Sequence, residues 1–182
     1  KVKINTYAKT GEGWVKYRTM MWTIAEEPID PYISYRIIAP SYVTYEELSI
    51  RQRNLANFDE SMIYNNMLHC TDEEGQCINC HSYKNYKTDN MQFHVRQYKG
   101  GTIFIHDGEA KKVNLKTDST ISAGVYPSWH PSGDFIAFST NQTRQAFHFN
   151  DENRIEVMDY SSDLLLFDVK NNEVLTVPQL FS

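Results

Sequence analysis

Residues 126–139 read "YPSWHPSGDFIAFS", and residues 162–177 read "SDLLLFDVKNNEVLTV". In the first stretch Pro-Ser-Gly-Asp supplies turn chemistry immediately before the apolar run Phe135 to Phe138. In the second, Asn171-Asn172 separates two apolar runs. Turn residues set between short apolar segments predict β-hairpins. The same pattern holds upstream, where "GTIFIHDGEAKKVNL" (101–115) carries two short strands around Asp107-Gly108. From Gly100 onward the chain therefore reads as successive hairpins, interrupted by an insertion rich in Asn and Gln.

The preceding residues read differently. The first 40 alternate aromatic and polar positions, as in "WVKYRTMMW" (14–22) and "PYISYRIIAP" (31–40), with Pro28, Pro31 and Pro40 as punctuation, which predicts short strands and extended segments. At Thr44 the order changes. Thr-Tyr-Glu-Glu has the hydroxyl-to-Glu47 spacing of a capping box, and Leu48, Leu55 and Phe58 follow near helical spacing, so a helix is expected over 44–56. A second short helix is expected over "DESMIYNNMLH" (59–69). The expected organisation is thus a small α+β segment with short helices over 1–99 and a mainly β unit over 100–182.

Composition narrows the function classes. The chain has 182 residues with a net charge of −5, and its Lys and Arg are scattered, so it offers no basic stripe for nucleic acid. No apolar run approaches the roughly 18 residues that a membrane-crossing helix requires. The opening "KVKINTYAK" lacks both an initiator Met and the order of a signal peptide, which reads as a processed or trimmed chain. G-x-S-x-G, G-x-x-x-x-G-K-[ST], H-E-x-x-H and G-x-G-x-x-G are all missing, so no catalytic motif is visible.

The paired stretches at 126–139 and 162–177 resemble one blade of the TolB-like, WD40-like (PD40) propeller repeat. Pro127, Trp129, Pro131, Gly133, Ala137 and Phe138 hold the blade pattern, with His130 where Ser is usual and Ser132 where Asp is usual. In order along the chain, "PYISYRIIAP", "IRQRNLANFDES", "CINCHS", "MQFHVR", "GGTIF" and then the blade resemble a family of bacterial envelope proteins. In that family a haem-attachment-like motif precedes a TolB-like propeller, and members are often labelled as related to cytochrome c biosynthesis. The resemblance covers roughly residues 28–178. It implies a periplasmic or envelope location and a protein partner there. A closed propeller needs about four to eight blades, whereas about one and a half are legible. That shortfall implies a fragment of a longer protein, or open blade edges covered by the N-terminal segment or by a second copy.

The motif itself is Cys77-Ile-Asn-Cys80-His81, in a chain with three cysteines and six histidines. C-x-x-C-H is the order in which two thiols carry c-type haem and the His binds its iron. A chance match at this composition is on the order of one in a thousand. Cys77 and Cys80 are the expected thioether carriers and His81 the axial metal ligand. Met91 or His94 in "DNMQFHVR" could fill the sixth position, with Met67 and His69 as weaker candidates. Two other readings stay open: a zinc site of Cys70, Cys77, Cys80 and His81, and a disulfide between two of the three cysteines.

Two functions follow from these readings. One is an envelope module whose haem transfers electrons or senses redox state beside a partner-binding propeller. The other is a non-haem protein- or glycan-binding module, or the propeller part of a larger peptidase or transport-associated protein.

Overall fold

A computed structural model describes residues 1–38, 47–69, 75–149 and 155–175. The protein is mainly β, and its described sheets are antiparallel throughout.

Four short strands open the chain: β1 (Val2–Ile4), β2 (Tyr7–Thr10), β3 (Gly13–Lys16) and β4 (Met20–Trp22). β1 pairs with β4 and β2 with β3, and Trp14, Tyr17, Met21 and Trp22 remain exposed. Next comes a three-stranded meander of β5 (Tyr32–Ile38), β6 (Leu48–Asn54) and β7 (Glu60–Asn65).

β6 and β7 replace the two helices expected over 44–56 and 59–69, apart from residues 44–46, which lie outside the described residues. The physical reason is cross-strand chemistry. Leu48 and Ile50 alternate into the core, while Arg51 and Arg53 reach across to Glu60 at 2.7 and 2.8 Å. The hydroxyl of Tyr35 also bonds Glu60, and with the two arginines it draws that carboxyl down to about 2. "NLANFD" then forms the connecting turn, where Asn54 Oδ1 accepts from Ala56 N at 2.8 Å and Phe58 takes a positive φ of 64°. Tertiary pairing outweighs a local helix signal here, as it commonly does for weak amphipathic patterns.

Two four-stranded meanders follow. The central one runs β8 (Gln76–Tyr83), β9 (Met91–Gln97), β10 (Gly101–His106) and β11 (Glu109–Val113). β8 and β9 are joined through a single 3-10 turn, Lys84–Tyr86. The last meander runs β12 (Val125–Trp129), β13 (Phe135–Phe147), β14 (Ile155–Asp168) and β15 (Glu173–Leu175). The division expected between residues 99 and 100 falls in the β9–β10 connection, so the central sheet begins well upstream of Gly100. Asp107 and Gly108 close β10–β11 as a two-residue turn with φ of 49° and 81°, the signature that an Asp-Gly hairpin demands. The Asn- and Gln-rich insertion continues β13 into a ribbon that stays paired with β14 as far as Phe147↔Ile155.

The central sheet is covered on both faces. On one side Ile78, Met91, Phe93 and Val95 pack with Leu48, Ile50 and Tyr64 of the preceding meander. On the other, Phe104 and Val113 join Leu115, Ile136, Phe138, Leu165 and Phe167, with the rings of Phe104 and Phe167 stacked at 4.9 Å. Asn66 locks the first seam. Its Oδ1 accepts from Leu48 N at 3.0 Å, and its Nδ2 donates to the Gln76 carbonyl at 3.2 Å, tying β6 to the start of β8.

Candidate functional site at the edge of the central sheet

The C-x-x-C-H residues lie on β8, the outermost strand of the central sheet on the side next to β12. The strand is regular up to Asn79, which pairs with His94, and again from Ser82, which pairs with Gln92. Between them Cys80 and His81 oppose Phe93 alone. This is a β-bulge, and Cys80 adopts a φ of 58° within it. The Gln92 amide steadies the kink by donating to the Cys80 carbonyl at 2.7 Å.

Two arginines converge on this bulge. Arg96 is the cross-strand partner of Cys77, and its Nη2 donates to Cys80 Sγ at 4.0 Å. Arg36, from β5, donates to Asn79 Oδ1 at 2.6 Å. Cys77 and Cys80 are both free thiols. Burial pushes the Cys77 thiol up, an effect partly opposed by Arg96 and Arg36 and reinforced by Cys80. Burial lowers the His81 imidazole, and Arg36 adds to that. The site is therefore a dithiol in a cationic setting beside a neutral imidazole, with the more accessible sulfur on the bulge. Neither arginine stood out in the sequence. Arg96, two residues beyond His94 in "MQFHVR", carried the only local signal, through strand alternation.

The remaining predicted ligands are dispersed. Met91 is fully buried in the first core cluster. His94 is 5% exposed; its Nδ1 sits 2.7 Å from Thr102 Oγ1 and its ring lies 5.7 Å from that of Phe138, in the opposite seam. The His81 ring stands edge-on to Tyr83 at 5.9 Å, and His69 lies near Tyr64. A porphyrin carried on both sulfurs needs two open thiols with an imidazole turned toward the same iron. Cys77, 8% exposed and packed in the core, does not offer that surface, so the folded arrangement does not fit the group. Cys70, needed for the four-ligand zinc site, lies outside the described residues. Among the described residues no three His, Cys, Asp or Glu side chains gather as metal ligands.

No helix among the described residues is long and apolar enough to cross a membrane. No family model, curated protein or solved structure matches the chain.

Proposed function

We propose that this chain is a non-haem, partner-binding module of the bacterial cell envelope, built from propeller-like β-meanders and carrying a thiol pair at the rim of its central sheet. The observation that carries this reading is the succession of antiparallel meanders stacked face to face, each a chain-sequential hairpin series, as propeller blades are. Such an arrangement offers edges and loops for recognition, while fold alone leaves the partner open. The projecting β13–β14 ribbon adds an exposed surface with Phe147, Val157 and Tyr160. The envelope location rests on the family resemblance. In that oxidising setting a disulfide between two of the three cysteines would staple this edge, its two protons and two electrons passing to a thiol-disulfide oxidant.

Covalent haem is the second reading, favoured by the C-x-x-C-H order itself. It requires Cys77 to leave the core that it occupies in the folded chain. Intact-mass spectrometry with a pyridine haemochrome spectrum, on protein made in cells with a cytochrome c maturation system, separates the two. An unmodified mass supports the stapled binding module, whose partner is then sought by pull-down with the full-length gene product. A gain of one haem that disappears in Cys77→Ala overturns it in favour of a cytochrome.

A further inference from the structure

A cavity of about 300 Å³ opens on the side of the central sheet that faces the last meander. His94, Thr102, Leu115 and Val125 contribute to its wall, and Arg96 and Lys116 also line it, with the Arg96 guanidinium now turned to Cys80 Sγ at 4.0 Å and within a side-chain swing of the cavity. Among the described residues the lining contains no Asp or Glu. Among the described residues neither cation is paired with a carboxylate, although the chain as a whole carries a net charge of −5. Two unneutralised cations beside an apolar wall form a local inversion of the protein's own charge. Such a cavity favours a ligand with one anionic end and a short apolar body.

We infer that this cavity binds a small monocarboxylate, with the carboxylate held by Arg96 and Lys116 and the apolar body laid against Leu115 and Val125. The volume limits the ligand to roughly the size of a single amino acid or a short-chain acid. Gly124 keeps the seam beside it closely packed, since a Cβ there would stand 2.8 Å from the Cβ of Phe138. His94 stays in place through its bond to Thr102 and gives the wall a fixed polar point. Because Arg96 also contacts Cys80, an occupied cavity would draw its guanidinium away from the sulfur.

The carboxylate could belong to a free acid or to the C-terminus of a partner peptide, and the experiment separates these sources. Benzoate and its neutral counterpart benzamide are titrated into the ¹⁵N-labelled chain and followed by amide NMR shifts, together with acetyl-Gly-Leu as free acid and as amide. Saturable shifts at Gly101, Lys116 and Gly124 with benzoate, missing with benzamide, are the expected result. Lys116 and Arg96 are exposed, so Lys116→Ala and Arg96→Ala leave the core untouched, and each is expected to weaken benzoate about fivefold. Tighter binding of the peptide acid than of benzoate assigns the carboxylate to a chain terminus, and the reverse assigns it to a free acid. Equal shifts from benzoate and benzamide, no saturable shifts, or unchanged affinity in both variants would overturn the inference.

Discussion

Replacing Asn66 by Ala tests how β8 is held. The amide is fully buried and satisfies two backbone groups on different elements, Leu48 N–H at 3.0 Å and the Gln76 carbonyl at 3.2 Å. Alanine removes both partners without admitting a replacement side chain. Each buried group left unpaired costs about 1–3 kcal/mol, so the expected loss is about 2–6 kcal/mol, a large share of the roughly 5–15 kcal/mol that holds a typical domain. Equilibrium urea unfolding measures it, with Trp129 fluorescence isolated by Trp14→Phe and Trp22→Phe in the reference chain, because both of those indoles are exposed. With a slope of about 2 kcal/mol per molar, the midpoint falls by roughly 1–3 M. Asn66→Asp should be at least as damaging, because it keeps an acceptor while burying a charge and losing the donor. A midpoint that shifts by less than the equivalent of about 0.5 kcal/mol would refute the tether.

Thiol chemistry, pH and turn geometry give three further tests. In a Cys70→Ser background, iodoacetamide at neutral pH should modify Cys80 first and Cys77 about tenfold more slowly or worse, because burial raises the Cys77 thiol; equal rates measured by peptide mass spectrometry would sink the assignment. Burial draws His94 down to about 4 in the folded chain, below its unfolded value of 6.5, so the unfolded state takes up the proton first. Stability should therefore be whole above pH 6.5, fall by up to about 1.4 kcal/mol per pH unit toward pH 4, and level off below, with a flatter profile in His94→Gln. Gly108→Ala places a Cβ at a φ of 81° and should cost about 1 kcal/mol, read as a melting temperature lower by about 2–4 °C; an unchanged melting temperature would refute the positive-φ turn.

The parts legible in the sequence were those set by neighbours along the chain. Asp107-Gly108 specifies its turn through two adjacent residues, and Phe135 to Phe138 with Leu164 to Phe167 carry the apolar content of β13 and β14. The region from 44 to 69 misled because Thr44, Glu47 and the Leu48–Leu55 spacing imitate a helix, whereas the partner that makes β6 a strand, Glu60, becomes informative only once β7 is paired with it. The candidate site shows the same limit. Cys77, Cys80 and His81 were visible as a motif, but whether a thiol is buried depends on a seam shared with Leu48, Ile50 and Tyr64. Arg36 joins it from more than forty positions away.

The bulge at Cys80 and His81 has a consequence for how the motif's spacing is to be understood. In an unbroken strand, positions three apart have opposite parity, so the two sulfurs would emerge from opposite surfaces and could never share one guanidinium. The extra residue resets the count: Asn79 and Ser82, also three apart, both sit opposite residues of like parity, His94 and Gln92. Removing Cys80 or His81 would close the bulge into a regular ladder, with Asn79 still opposite His94, Ser82 still opposite Gln92 and Ile78 on its present side. In this strand a single surplus residue turns the backbone at the second cysteine and leaves the pairing on either side of it intact.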